Sequence, residues 1–292
     1  MRTFLETPVM RGIALFVVAQ LAFVTENVLV HHLGAGIEVE QLTLSRGLAI
    51  LLLVAVLARR QGLGVLRTER PWLHVLHGLL MLTALWAIFH SFAHLPFADA
   101  GTLTYLRPVF VTLLAALVLR ELVPARRWQA MGIGFAGAVA VFGPGFAAWH
   151  PAYAIAVAGA LLIAVSIIVG KCLLGRDGPV TVITWQALVL VAGSGGALDA
   201  AWRLEDLPAL AGVGLSGALF LWLALCAMRI APNSVLAPYE YARLPLMLLL
   251  ALWLFGQVPG WATVAGAALI LASGAALLAG ERRAAQRGPQ AA

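Results

Sequence analysis

Inside long apolar runs, four acids and bases other than histidine stand out: Glu26, Arg107, Glu240 and Arg243. Such a group is costly in a bilayer and faces a cavity or a partner. A buried arginine suits a carboxylate or phosphate, and a buried glutamate suits an amine or a coupling proton. Glu240 and Arg243 lie three apart in "APYEYARLPL" (237–246), so they share one face of a helix. They read either as a pair that holds its helix in register or as a zwitterion site. In the second reading Glu240 meets an amino group, and Arg243 or Arg107 meets a carboxylate. Arg107, in "LTYLRPVF" (103–110), has no acid three or four residues away and requires a partner on another helix or a wet cavity. Pro108 and Pro245 each free a backbone carbonyl one turn earlier, either for a substrate amine or for a kink. Glu26 has no nearby base in sequence. It reads as a proton-coupling acid or as a packing acid beside Thr25 and Asn27. Arg46 falls nearer the end of its run, where it can snorkel.

Aromatic and amide side chains surround these charges in sequence. Trp86, His90 and His94 are spaced i, i+4, i+8 and share a helix face. Trp86 can stack on a ring-bearing solute or simply pack, and His90 can donate a hydrogen bond or sense pH. His90 and His94 have metal-ligand spacing, but no acid cluster supports a metal, and none is expected. Trp185 and Gln186, with Trp222, Tyr105, Tyr239 and Tyr241, complete an aromatic-polar set suited to amphipathic solutes. His31, His32, His74 and His77 fall near run ends, where interfacial placement accounts for them. Cys172 and Cys226 have no redox or ligand spacing and read as packing residues.

The elements that must position these groups are membrane helices. Hydrophobic residues make up 62% of the chain and charged residues 11%, against roughly 45–50% and about 25% in soluble domains. Ten apolar runs approach the ~20 residues that span a bilayer: 12–33, 41–58, 72–93, 98–119, 127–147, 153–173, 180–199, 208–229, 234–255 and 261–280. The first run has no convincing cleavage site and reads as a retained helix. With the N-terminus in the cytoplasm, fifteen of the 19 Lys and Arg fall on the cytoplasmic side and only Arg203 outside; Arg46, Arg107 and Arg243 lie within runs. This asymmetry places both termini inside and accounts for the basic balance without nucleic acid. Trp72, Trp128, Trp149, Trp202 and Trp261 lie near run ends, as interfacial belts require.

A shift of 136 residues superposes Trp86 on Trp222, Pro96 on Pro232, Tyr105 on Tyr241, Arg107 on Arg243 and Glu121 on Gln257, without a gap. The chain therefore reads as two five-helix repeats, 1–147 and 148–292, in one membrane domain. Five is odd, so the repeats enter the membrane from opposite sides. The expected fold is an all-α integral membrane protein of ten transmembrane helices in two inverted repeats, with a solute site between halves and alternating access.

The stretch "HSFAHLPFADAGTLTYLRPVFVTLLAALVLREL" resembles the third-to-fourth helix region of the drug/metabolite transporter superfamily, EamA type, and "LFGQVPGWATVAGAALILASG" resembles that family's closing helices. A Gly-Glu-x-Pro element is usual there. This chain has Gly256-Gln257-Val258-Pro259, so that acid is missing from the second half, whereas Glu121 keeps it in the first. Within the family the chain looks most like amino-acid exporters of the YddG type. The resemblance implies secondary export of aromatic and other amino acids, or related metabolites, across the cell inner membrane. It implies no cofactor and no ATPase partner. An exporter of lipophilic cations would have the same fold, but it needs an unpaired acid with aromatics, such as Glu26 with Trp86, and has no use for Arg107. A membrane enzyme would need a nucleophile with a base at depth, and no motif joins Ser166 to His90. "GIGFAG" (132–137) and "GVGLSG" (212–217) match a dinucleotide fingerprint only in letters. They lie inside apolar runs without a βαβ context and read as close-packing surfaces.

Overall fold

A backbone in apolar surroundings must satisfy its own polar groups, which a helix does within one segment. The computed structural model describes residues 8–59, 62–118, 125–141, 150–174, 176–231, 236 and 243–286, and among these residues all regular structure is helical, with no strand. In chain order the helices are α1 (Pro8–Leu33), α2 (Val39–Ala58), α3 (Pro71–His94), α4 (Phe97–Leu103), α5 (Arg107–Val118), α6 (Ala125–Val141), α7 (Pro151–Leu174), α8 (Pro179–Gly193), α9 (Leu207–Ile230), α10 (Arg243–Phe255) and α11 (Trp261–Gln286). Among the described residues, five apolar segments are long enough to cross a membrane: Met10–Gly36, Val39–Ala58, Pro71–His94, Pro151–Leu174 and Leu207–Met228. Pro179–Gly193, Pro245–Phe255 and Trp261–Ser273 are shorter apolar helices. Many large apolar side chains on these helices stay exposed, Leu52 and Leu249 among them, as lipid-facing surfaces require. Trp72 and Trp261 are exposed near helix starts.

Local chemistry sets the helix ends. Glu38 and Gln41 form a reciprocal capping box at the start of α2. Pro71 and Pro179 open α3 and α8, where a missing N–H costs nothing. Gly256 takes φ +61° after α10, and the next N–H, of Gln257, returns to the carbonyl of Ala251 at 2.9 Å, closing the helix with a left-handed residue.

The fourth expected run is not one helix. It forms α4, a 3-10 turn over Thr104–Leu106, and α5. Pro108 has no N–H to return to Thr104, so the ladder tightens there. The carbonyl of Thr104 instead accepts from the N–H of Arg107. Of the two roles expected for the carbonyl freed by Pro108, the structure takes the change of course, and the oxygen is already used. The seventh run also ends early, at Gly193, with a 3-10 turn over Gly195–Leu198. The described part of the ninth run is Leu236 and α10, and residues 142–147 of the fifth run lie outside the described residues.

Two compact units result. The first comprises residues 1–21, 96–149 and 220–292, and the second residues 22–95 and 150–219. Each draws on both sequence halves, so compactness does not follow the division at residue 147. In the first unit, Phe16 and Ala19 of α1 pack with Ala224 and Ala227 of α9, and with Ala231 and Leu236. Also in this unit, α6 lies along α11. There a Cβ added at Gly137 would meet the carbonyl oxygen of Gly266 at 2.7 Å, and one at Gly134 would meet Ser273 Oγ at 3.0 Å. In the second unit, α3 packs with α7 and α8, and α2 with α8. Gly212 of α9 faces Leu29 and Gly214 faces the backbone of Ser45. Both glycine-rich hexapeptides are thus helix-packing surfaces.

Gly137→Ala is therefore expected to lower the midpoint of thermal unfolding in detergent, because overpacking at such a contact costs about 1–3 kcal/mol. Gly132→Ala, with nothing within 4 Å of its added Cβ, should raise the midpoint slightly through helix propensity, worth up to about 1 kcal/mol.

Candidate functional site

In the first unit the polar centre is Arg243, the opening residue of α10 and only 2% exposed. Its Nε donates to the hydroxyl of Tyr105 at 3.0 Å, and its Nη1 donates to Gln20 Oε1 at 3.1 Å. The guanidinium also stands 5.1 Å from the centroid of the Tyr105 ring, a cation–π distance. Tyr105 is the middle residue of the 3-10 turn, so the break imposed by Pro108 is what presents its phenol. Both oxygens that accept these two hydrogen bonds are neutral. Two residues singled out in sequence, Tyr105 and Arg243, are thereby brought together. Gln20 was missed; its signal was an amide inside an otherwise apolar stretch of α1. Arg107 is half-buried at the start of α5, and Trp222 is half-buried on α9. Tyr239, Glu240 and Tyr241 lie outside the described residues, as does Glu121.

Gln257 has a defined task in the same unit. Its Oε1 accepts the N–H of Phe97 at 2.9 Å, at the first turn of α4. A neutral amide oxygen serves this helix start where the family pattern carries a carboxylate. Nearby, Thr263 Oγ1 donates to Asp99 Oδ1 at 2.5 Å.

The second unit corrects the reading of Glu26 and Arg46. Glu26 is not without a base, and Arg46 does not snorkel. The two form an ion pair, with Arg46 Nη1 donating to Glu26 Oε1, and both are buried. The reason is hairpin register. Glu26 stands seven residues before the end of α1, and Arg46 seven after the start of α2. Each is thus about 10 Å along its helix from the turn. Sequence separation concealed a pairing that the hairpin makes level. Gly217 of α9 faces the pair, and a Cβ there would strike both side chains. Beside them, Asn27 Nδ2 donates to the carbonyl of Phe23 at 2.7 Å. Asn27 Oδ1 and Arg46 Nε are buried without a hydrogen-bond partner among the described residues.

A second polar line crosses this unit. Trp86 Nε1 donates to Thr43 Oγ1 at 3.1 Å, and Thr43 Oγ1 lies 2.9 Å from Ser194 Oγ. His90 and His94 stack with ring centroids 4.0 Å apart, and His94 stacks on His150 at 6.1 Å. His31 Nδ1 meets the carbonyl of Phe92 at 2.5 Å. Among the described residues no His, Cys, Asp or Glu cluster could hold a metal. His74 and His77, expected at an interface, are buried instead. His77 Nδ1 lies 3.0 Å from Ser166 Oγ and 3.1 Å from its carbonyl, and Gln186 hydrogen-bonds the same ring. Trp185 stacks on His74 at 5.8 Å and donates to the carbonyl of Leu66 at 3.3 Å. It therefore belongs to the end of this unit where the 62–66 turn lies.

At that end His74 Nε2 is 2.9 Å from Asp177 Oδ2, which also accepts from Thr68 Oγ1 at 3.0 Å. The hydrogen bond from His74 holds the Asp177 carboxyl below the usual carboxylate range; partial burial opposes this, and Thr68 and the Arg70 charge reinforce it. A lowered folded-state value means a stabilising contribution that is present above the ordinary carboxylate range and lost as pH falls through it.

The pattern of the EamA-like transporter family matches residues 10–143. A protein named riboflavin transporter from Rhizobium johnstonii is 33% identical over 237 residues, covering 77% of this chain and 76% of that protein. The S-adenosylmethionine uptake transporter of Rickettsia bellii is 25% identical over 276 residues, covering 94% of this chain and 95% of that protein. A crystal structure of another protein shares the fold with a TM-score of 0.65 at 22% identity, covering 94% of this chain and 98% of the other.

Two outcomes follow from the geometry. Glu26→Gln leaves Arg46 buried without its counter-charge and is expected to cost about 3–5 kcal/mol. The double variant Glu26→Gln/Arg46→Met should recover most of the loss in thermal unfolding. Asp177→Asn should be less stable than the native protein near neutral pH, and the gap should close as an unfolding series is carried into acid.

Proposed function

The chain belongs to the EamA-like transporter family and is a membrane transporter of small molecules, and from that premise we propose what it moves and how. Family membership also sets it apart from enzymes.

In this reading the protein is a secondary transporter with ten membrane spans in two inverted five-helix repeats, both termini cytoplasmic, set in the cell inner membrane. It works by alternating access. Its solutes are amphipathic metabolites with a carboxylate and an apolar or aromatic part, aromatic amino acids being the simplest, and it exports them. The observation that carries the reading is Arg243, a buried guanidinium hydrogen-bonded to Tyr105 and Gln20, with the Tyr105 ring centroid 5.1 Å away. A charge kept at that cost suits an anionic group. The aromatic ring beneath it favours a substrate with its own apolar face.

The repeat draws support from the same contact. The 136-residue offset makes Tyr105 equivalent to Tyr241 and Arg107 equivalent to Arg243, so the Tyr105–Arg243 bond joins one copy's tyrosine to the other's arginine. A pseudo-two-fold arrangement favours reciprocal contacts of this kind. Lipophilic-cation export is weakened, because its acid, Glu26, is already neutralised by Arg46.

Uptake is the second reading on direction, favoured by the name of the Rickettsia bellii relative. S-adenosylmethionine itself carries an amino-acid head beside an aromatic base, so the binding chemistry argued from Arg243 is the same in either direction.

Proteoliposomes loaded with a panel of labelled amino acids, with S-adenosylmethionine and quaternary amines alongside, decide the matter. Efflux and influx are measured with and without a pH gradient. Aromatic amino acids should flux, quaternary amines should not, and Arg243→Gln should cut amino-acid flux about tenfold or more, the worth of one charge-assisted contact. Absence of flux for every amino acid would end the export proposal, and flux only of quaternary amines would replace it with the cation reading.

A further inference from the structure

At the end of the second unit where α3 and α8 begin, the preceding loops form an open cleft of about 600 Å3 lined by Arg67, Thr68, Glu69, Arg70, Arg176 and Asp177. Three guanidinium groups meet two carboxylates there, and both acids are engaged. Asp177 is held by His74 and Thr68. Among the described residues Glu69 pairs with Arg176, at 3.8 Å between two exposed side chains, a pair of little strength. The backbone adds to the positive field. The 24-residue α3 opens directly after Arg70, and the 15-residue α8 opens directly after Gly178. The two helices pack together, so two positive dipole ends, each about half a charge, stand at one cleft. Beneath it His74 is fully buried, and its Nδ1 has no hydrogen-bond partner among the described residues.

From this arrangement we infer that the cleft is a binding site for a phosphate-bearing anion, separate in residues and in unit from the Arg243 cluster. Guanidinium forks match phosphate oxygens two at a time, and helix starts favour such anions. On the topology proposed above, these loops face the cytoplasm. Two sources of the same chemistry meet them there: the headgroup of an anionic phospholipid in the inner leaflet, or a soluble phosphate. The site deals with regulation or anchoring of the transporter and does not depend on what it carries.

The test uses the full chain, purified in a neutral detergent. One arm titrates inorganic phosphate at constant ionic strength. The other adds phosphatidylglycerol to mixed micelles, with an equal amount of phosphatidylcholine as control. The readouts are the thermal midpoint and anion adducts retained in native mass spectrometry. At least one anion should raise the midpoint by several degrees and give one adduct per chain. A response to phosphate identifies a soluble source, and a response to phosphatidylglycerol alone identifies the lipid. Arg70→Gln/Arg176→Gln should weaken the response about fivefold or more; Arg70 makes no side-chain cap to α3, so the change spares that helix start. Glu69→Gln, at an exposed position, removes the opposing acid and should strengthen the response in the native background. It keeps the test decisive if the double variant does not fold. No response to either anion in the native chain overturns the inference. So does an undiminished response in the folded double variant, or an unchanged one in Glu69→Gln.

Discussion

A polar group inside an apolar helix bundle must find its partner within the protein, since hydrocarbon supplies none. Most other features of this chain are consequences of that constraint. It keeps the regular structure helical and draws Arg46 onto Glu26. It turns the hydroxyls of Thr102 and Thr184 back onto their own helices. It also gives the departures from regularity a use. The 3-10 turn at Thr104–Leu106 follows from a proline two residues downstream, and the displaced phenol of Tyr105 becomes the hydrogen-bond acceptor for Arg243.

Close approach is the second half of the same constraint. Partners meet only where backbones come near, and small residues allow that. Gly217 shows the two linked: it is the space that the Glu26–Arg46 pair fills. Gly134 and Gly137 let α6 lie against α11 in the other unit. Gly217, in one of the two patterns that mimic a nucleotide fingerprint, is therefore part of how a buried charge pair is housed.

Sequence made the helices legible because their signal is local. Apolar runs, proline starts and glycine ends are all read within a few residues, and each expected run contains helix among the described residues. The site was legible only where a charge stood out against its own run, as Arg243 and Glu26 do. What escaped was the partner. Nothing local ties residue 26 to residue 46; the tie is equal distance from a turn, and it required both helix ends. The burial of His74 and His77 escaped for a similar reason. Their position near a run end suggested an interface, but Asp177 and Ser166 arrive from segments about a hundred residues away. The hydrogen bond from Trp185 to Leu66 likewise depends on a loop that the apolar pattern does not see.

Gln257 separates two roles that a family pattern merges. An acid in that position would accept the N–H of Phe97 and also carry a charge. Here the amide oxygen keeps the first and drops the second. α4 begins at Phe97 with an amide oxygen as the acceptor, so a carboxylate is not required there. A carboxylate there would add a charge that this hydrogen bond does not require. The two halves of this chain differ in just that respect, with Glu121 in one and Gln257 in the other.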